Sequence, residues 1–551
     1  MHYRDIFKML GLFLLFFSGT MIFPLALAIY YEFIADPTWH PQPHSALAFF
    51  KSLLICIAVG VGCYFIGRNS SGKLFKKEGI ALVIIIWVLT PGLAALPFIY
   101  SNTLENPLQA YFESVAGMTT TGATTLQAKQ YDPHTNQEIP ITKTYAGLNP
   151  ITYTFYGTIP PIRDPGTHAI IYEGIEAVSR AVLLWRSLIQ WLGGLGVVLL
   201  FVAIFPYLGI SSKLLYQTEA SGPIKDSIAP RVTKTALILW MVYCALTAAE
   251  FILLMLTGRE ELGWLEALTI SLSTLSGGGS SIRNLNIGQY DSAYVDWIIV
   301  AFMILGSINF SIYYYVILGK FYKIYQPELW LYLAILVGSC GFAVWYLTGT
   351  ETHFIDGDHT GPMSLSEAMR YGIFQIVAAL TTTGFAIVDY DKWPDAIQAL
   401  MIMLMFVGGM SGSTASGIKT IRHLIFFRLS QLRIETLFRS DTVRQLKLGG
   451  QEVGSQTAFM VFVYLYFVIA FVGVGGFLYV LDGIDALTAT GLVSSMVNNV
   501  GLGFRVAGPT GSCAFLSNFS LVLSSALMIF GRLEFLILFA ALSPSFWKQT
   551  S

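Results

Sequence analysis

Charged side chains are scarce in this chain. Asp, Glu, Lys and Arg supply 12% of the 551 residues and apolar types 54%, too little polar surface to wrap a soluble fold of this size. A polytopic membrane protein is expected. Cysteine is also sparse: there are five, an odd number, and Cys56, Cys63, Cys244 and Cys340 lie inside apolar runs. That usage argues against a disulfide framework, and the spacing offers no metal site. Catalytic signatures are missing too. No His-Glu-x-x-His pair occurs, and no Ser, His and carboxylate set falls at membrane depth, which leaves an intramembrane enzyme or a receptor as the least favoured class. The net charge of −1 says nothing about partners by itself, because in a membrane protein the distribution of charge carries the information.

Taking about 20 apolar residues as one crossing, spans are expected near 9–31, 46–67, 79–100, 181–207, 235–257, 293–319, 328–348, 396–427, 457–481 and 514–542. The first run, Leu12 to Tyr31, exceeds a signal-peptide core of roughly 7–15 residues and holds Pro24 in place of a small-residue cleavage site, so it is read as retained. Shorter apolar stretches at 107–118, 263–275, 366–380 and 483–497 have the length of re-entrant segments. If all four fold back, then Arg4, Lys8, Arg68, Lys73, Lys76, Lys77, Lys213, Lys225, Arg231, Lys320, Lys323, the run from Lys419 to Lys447, and Lys548 all fall on one side. By the positive-inside rule that side is the cytoplasm, with both termini on it. The opposite loops at 32–45 and 349–365 carry no Lys or Arg, yet hold Glu32, Asp36, Glu351, Asp356 and Asp358.

The expected fold is an all-α polytopic membrane protein. Two N-terminal transmembrane helices (1–77) precede four covalently linked repeats of outer helix, re-entrant pore helix, polar loop and inner helix around one pore. The repeats fall at 78–231, 232–327, 328–450 and 451–551. The first carries an external insert at about 127–176, rich in Pro, Thr and Tyr, whose composition fits an ordered cap as readily as a flexible loop. The third carries an intramembrane gating loop and a basic cytoplasmic segment.

Each short stretch runs into a polar, glycine-bearing loop: Thr119-Thr120-Thr121-Gly122-Ala123, Ser276-Gly277-Gly278-Gly279-Ser280, Thr381-Thr382-Thr383-Gly384-Phe385 and Asn498-Asn499-Val500-Gly501-Leu502. Non-helical backbone at membrane depth survives only where protein or water satisfies it, and four such loops meeting on one axis would satisfy each other. A ring of carbonyls can then replace the hydration shell of a cation, and glycine allows the backbone angles that aim those carbonyls inward. The negative C-terminal dipole ends of the preceding half-helices favour a cation as well. The candidate filter is therefore Thr120, Thr121, Gly122 and Ala123; Gly277, Gly278, Gly279 and Ser280; Thr382, Thr383, Gly384 and Phe385; and Asn499, Val500, Gly501 and Leu502. No loop reads Thr-Val-Gly-Tyr-Gly, so fewer carbonyl rings and weaker discrimination are expected than in a tetrameric potassium channel.

A second glycine-rich stretch, Gly408 to Gly417, interrupts the third inner helix. Each glycine destabilises a helix by roughly 1 kcal/mol relative to alanine, and four of them with three Ser and one Thr should open it. The candidate gate comprises Gly408, Gly409, Gly412, Ser413, Gly417, Lys419 and Arg532. Residues 412–420 imitate a nucleotide P-loop, but Ile418 separates Gly417 from Lys419, so no nucleotide is expected on this chain. Arg532 lies within the last apolar span, where a cation is costly. It either pairs with Glu534 or snorkels, or it projects into the pore below the filter and anchors carbonyls of the gating loop. Lys419, Arg422 and His423 read first as ordinary cytoplasmic anchors. The basic stretch through Arg428, Arg433, Arg439 and Arg444 reads as a docking surface.

These residues resemble the Trk/Ktr/HKT superfamily of potassium transporters, and more closely its bacterial Trk branch. The resemblance extends to Gln190-Trp191-Leu192-Gly193-Gly194-Leu195-Gly196, taken to open the first inner helix, to Gly222-Pro223-Ile224-Lys225-Asp226, and to Gly531-Arg532-Leu533-Glu534 followed by Pro544-Ser545-Phe546-Trp547. It implies a homodimer in the lipid of the bacterial inner membrane, each protomer with its own pore, with potassium as substrate and no nucleic acid. A cytoplasmic ring of regulatory subunits would carry the nucleotide. It places potassium-coordinating carbonyls at Thr120, Thr121, Gly277, Gly278, Thr382, Thr383, Asn499 and Val500, joined by Gly122, Gly279, Gly384 and Gly501. Sodium-preferring members of the superfamily have serine in place of the first-loop glycine, and Gly122 therefore favours potassium.

Two features depart from the pattern. The second loop lacks the bulky residue before its last two glycines and the aromatic after them, which predicts a looser wall at Gly277 and Ser280. The external insert is also longer than the branch leads one to expect. The function implied is a gated, channel-like potassium uptake system. The alternative is a proton- or sodium-coupled symporter, which would want inverted repeats and more ionisable groups than Arg186 and Arg532 on the inner helices.

Overall fold

The computed structural model describes residues 2–35, 44–70, 76–132, 134–145, 150–164, 166–167, 169–196, 232–257, 262–438, 446–448, 451–533 and 543–547. Several features named from the sequence lie outside them: Asp36, Lys73, Lys213, the segment Gly222 to Asp226, Arg231, Arg439, Arg444, Glu534 and Lys548.

Among the described residues six helices are long and apolar enough to cross a membrane: Tyr3–Ile34, Ser45–Gly67, Lys77–Tyr100, Lys234–Thr257, Pro327–Leu347 and Ser455–Leu481. Four short helices fall on the short apolar stretches. They are Pro107–Met118, Trp264–Ser276, a helix from Leu365 through a π turn at Ala368–Gly372 to Leu380, and Ala486–Asn498. Their starts are chemically marked. Asn106 accepts from Leu108 N at 2.9 Å ahead of Pro107. The Gly263 N–H is taken by Glu266, Ser364 and Glu367 form a reciprocal capping box, and Asp485 accepts from the N–H groups of Leu487 and Thr488. Each satisfies N–H groups that a helix start leaves without partners.

Of the helices that follow the polar loops, those after the second and third are broken within the described residues. The expected single span at 293–319 is two helices, Ala293–Ser307 and Phe310–Ile317, bent by 94°. Ile308 and Asn309 leave helical geometry between them, and Asn309 caps the second piece by accepting from Ser311 N at 2.8 Å. The expected span at 396–427 stops at Val407 and resumes at Thr420. The first such helix, Arg180–Gly194, ends at the Gly193-Gly194 pair, so the glycine motif closes the described helix and does not open it.

The described part of the insert carries strands, an addition that the all-α expectation lacked. Gln130–Tyr131 pairs with Glu138–Ile139, Ile141–Tyr145 with Ile151–Phe155, and Ile162–Arg163 with Ile170–Tyr172, all antiparallel. The middle hairpin is clamped to the start of the fourth short helix. Tyr153 Oη donates to Asp485 Oδ1 at 2.6 Å and accepts from Asp485 N at 2.9 Å. The rings of Tyr153 and Phe155 pack on Phe515, and Lys143 Nζ donates to the Thr510 carbonyl at 2.8 Å. Burial alone would raise the Asp485 carboxyl, but hydrogen bonds from Thr488 and Tyr153 and the charge of Arg505 outweigh it and hold it below its ordinary value of 3.8. A depressed carboxylate stabilises the fold at neutral pH, and that stabilisation disappears only in acid, as pH falls below 3.8 through the native value.

Tyr153→Phe keeps the ring and deletes both hydrogen bonds. A loss of about 1–2 kcal/mol of local stability is expected, read as faster amide exchange across residues 141–155 with exchange in the first short helix unchanged.

Candidate ion-coordinating site

At each polar loop the backbone alternates in hand. Positive φ occurs at Thr120 and Gly122, at Gly277 and Gly279, at Thr382 and Gly384, and at Asn499 and Gly501, with a residue of negative φ between the members of each pair. Successive peptides of alternating hand turn their N–H groups to one side and their carbonyls to the other. The N–H groups fold back on the helix just completed. Thr121 N and Gly122 N both reach Ala116 O (2.8 and 3.2 Å), Thr383 N and Gly384 N both reach Ala378 O (3.0 and 3.2 Å), Gly278 N reaches Ser273 O (2.9 Å) and Val500 N reaches Ser495 O (3.0 Å). Helix-end carbonyls and loop N–H groups thus satisfy one another, and the loop carbonyls face away from them.

The loops touch in a closed cycle. A Cβ on Gly122 would overlap the Gly278 carbonyl oxygen, one on Gly279 that of Thr383, one on Gly384 that of Val500, and one on Gly501 that of Thr121. Each glycine is therefore required twice, for its positive φ and for the approach of the next loop's carbonyl. The residues that follow these glycines, Ala123, Ser280, Phe385 and Leu502, are buried at 5% exposure or less, so they back the ring.

Behind the ring lie braces that the sequence reading missed. Thr119 and Thr121 share a hydroxyl contact of 2.8 Å, as do Thr381 and Thr383. Asn499 Nδ2 donates to Thr121 Oγ1 and to the Met528 carbonyl, both at 3.0 Å, tying the fourth loop to the first. Glu113 forms a buried pair with Arg186 at 2.6 Å and also accepts from Thr124 Oγ1 and Thr125 N, while Arg186 donates to Ser281 O. This ion pair stitches the outgoing strands of loops one and two together. Its one signal in the sequence was a lone carboxylate inside an apolar stretch of twelve residues. In the second loop, expected to be a looser wall at Gly277 and Ser280, Ser280 and the Gly278 carbonyl are both hydrogen-bonded to Gln190, while a Cβ on Gly277 would meet nothing closer than 3.9 Å.

The stretch Gly408 to Lys419 forms an irregular loop wedged under the ring. Met410 N donates to Ser307 O, Thr414 N to Gly306 O and Phe310 N to Gly412 O, so the break between Ala293–Ser307 and Phe310–Ile317 docks onto it. Ser411 N donates to Glu328 Oε1 at 2.7 Å and Ser416 N to Thr382 Oγ1 at 2.7 Å. Gly408, Gly412 and Gly417 have positive φ. Gly409 packs against Ser307 and the Ser413 hydroxyl.

Arg532 sits between loop and ring. It donates to Thr120 Oγ1 (3.4 Å), Ser416 Oγ (3.2 Å) and the carbonyls of Gly193 and Gly194, with its guanidinium 5.7 Å from the Trp87 ring centre. These donors serve protein groups, which rules out snorkelling to the interface. The carbonyls it anchors belong to the helix end at Gly193-Gly194, and its contact with the loop from Gly408 to Lys419 is through a hydroxyl. Lys419 and Arg422 are 5% exposed, so they are interior groups and not cytoplasmic anchors. Lys419 Nζ donates to the Ala415 and Ser413 carbonyls, and Arg422 lies 3.9 Å from the Tyr464 ring centre. His423 Nε2 lies 3.3 Å from the Phe406 carbonyl oxygen. Arg428 and Arg433 are exposed on the helix that follows.

Residues 165–549 match the family described as TrkH, cation transport protein. The chain is 30% identical over 563 residues to the Trk system potassium uptake protein TrkH of Halomonas elongata and 28% identical over 568 residues to that of Escherichia coli (strain K12), in both cases across 100% of each protein. Its fold is similar to the crystal structure of the potassium transporter TrkH from Vibrio parahaemolyticus, with a TM-score of 0.77, 25% identity and 100% of both chains covered.

Replacing one member of the buried ion pair strands the other. Glu113→Gln is expected to cost about 3–5 kcal/mol, read as a fall in the melting temperature of the detergent-solubilised protein, and Glu113→Leu combined with Arg186→Leu to recover most of that loss.

Proposed function

The chain belongs to the TrkH family of cation transport proteins, and from that premise we propose that it is the membrane subunit of a potassium uptake system, passing the ion through the ring of loop carbonyls. The cyclic contact of the four loops carries this reading. In it the four repeats surround one pore, and a potassium ion exchanges water for carbonyl oxygens of Thr120, Thr121, Gly277, Gly278, Thr382, Thr383, Asn499 and Val500. The short helices end at the ring, so their negative ends add to the attraction. Potassium over sodium is supported by the names of the similar proteins and by Gly122, whose neighbour's carbonyl would have to shift to admit any side chain.

Control lies below the ring. The loop from Gly408 to Lys419 blocks the path, and Arg532, bridging Thr120, Ser416 and the Gly193-Gly194 helix end, locks it. A fixed cation beneath a cation filter also repels the permeating ion. Exposed Arg428 and Arg433 supply part of a cytoplasmic surface for a nucleotide-binding regulatory ring, and the protein works as a homodimer in the bacterial inner membrane with both termini inside. Flux runs down the electrochemical gradient, and uptake by reconstituted protein independent of an imposed proton gradient separates this from a coupled symporter.

Purified protein in proteoliposomes is expected to pass potassium and rubidium in preference to sodium, and equal fluxes would refute the reading. Arg532→Ala should raise basal potassium flux severalfold with the ion preference unchanged. Gly122→Ser should lower the potassium-to-sodium flux ratio about tenfold, equivalent to ~1.4 kcal/mol.

A further inference from the structure

Of the four carbonyls that close the ring, those of Thr121, Gly278, Thr383 and Val500, only that of Gly278 receives a side-chain hydrogen bond among the described residues. Gln190 Nε2 donates to it at 3.1 Å. A carbonyl oxygen only accepts, so the atom facing it must be the amide nitrogen, and the orientation of the Gln190 amide is settled by its partner. The other end of the amide is held as firmly. Gln190 Oε1 accepts from the hydroxyls of Ser273 (2.7 Å) and Ser280 (2.6 Å), and Ser273 Oγ accepts from Ser280 N at 2.7 Å. Gln190, Ser273 and Ser280 are each at most 2% exposed. A Cβ on Gly278 would lie 2.5 Å from Gln190 Cδ, so a glycine at this position also makes room for the amide.

Loops one and three are braced from within, by the paired hydroxyls of Thr119 with Thr121 and Thr381 with Thr383. Gly277 and Gly278 have no side chains with which to do this. From this difference we infer that Gln190, on the helix Arg180–Gly194, is a positioning residue for ion preference: it restrains the Gly278 carbonyl from behind and so sets how far the second wall can close around an ion. The inference rests on the reading of the ring as a potassium filter. A sodium ion is smaller than potassium, and carbonyls must draw inward to coordinate it. One that is hydrogen-bonded outward resists that movement, whereas coordination of potassium asks for none of it. Ser280 supplies the second anchor by fixing the amide.

The test is ion uptake by the full-length protein in proteoliposomes, comparing wild type with Gln190→Leu and Ser280→Ala, each checked for folding by size-exclusion profile. Gln190→Leu should lower the potassium-to-sodium flux ratio about fivefold, equivalent to ~1 kcal/mol, with potassium flux within twofold of wild type. Ser280→Ala should shift the ratio the same way by a smaller factor and decides the matter if Gln190→Leu does not fold. A discriminating wild type whose folded variants keep its ratio overturns this inference alone. A wild type without preference refutes the filter reading, and this inference with it.

Discussion

Backbone that leaves helical geometry inside an apolar fold must find a partner for every N–H and carbonyl, since water is not there to serve them. The four loops obey this constraint by splitting their polar groups. N–H groups return to the helix ends at Ala116, Ser273, Ala378 and Ser495, which themselves lack intrahelical partners, and carbonyls turn away. Alternating φ is the geometry that achieves the split. In the proposed filter the ion site is a by-product of satisfying the chain: the carbonyl oxygens turned away from the helix ends are the ones offered to an ion.

The same constraint explains residues that local energetics disfavour. Thr120 and Thr382 are β-branched at positive φ, a conformation that costs of order 1–3 kcal/mol and persists only where surroundings impose it. The matching positions in loops two and four are Gly277 and Asn499, for which the cost is smaller. The two strained threonines are also hydrogen-bonded to the residues proposed as the gate. Thr382 Oγ1 accepts from Ser416 N, and Thr120 Oγ1 accepts from Arg532. Glycine would relieve the strain at either position and remove the oxygen through which loop and ring are joined.

What could be read in advance divides along the same physical line. The short helices were legible because their lengths are set by apolar runs bounded by local caps at Asn106, Ser364 and Asp485. The opening at Gly408 to Gly417 was legible because glycine acts locally. The break at Ile308 and Asn309 was not, since apolar residues run through it and its irregular backbone is satisfied by Met410, Gly412 and Thr414, about a hundred residues later. The pairing of Glu113 with Arg186, 73 residues apart, was hidden for the same reason. The insert was read by composition alone, although Ile-Thr-Lys-Thr-Tyr and Ile-Thr-Tyr-Thr-Phe alternate with the period of a strand. The looseness expected of Ser-Gly-Gly-Gly-Ser followed from its missing side chains, and the side chain that compensates lies on another helix.

The proposed filter and gate meet on that helix. Gln190 holds the Gly278 carbonyl, and one turn further on Gly193 and Gly194 end the described helix with carbonyls that accept from Arg532. The Gly193 carbonyl also accepts from Gly196 N at 3.1 Å, so the guanidinium adds to the cap at this helix end; in the proposed gate it is the lock as well. In that reading, withdrawing the guanidinium as the loop moves aside takes a donor from the Gly194 carbonyl and from the Ser416 hydroxyl, and water entering the path replaces it. In the proposed gate the closed state is held by these contacts of Arg532, which let a single side chain restrain a loop that, rich in glycine, has little stiffness of its own.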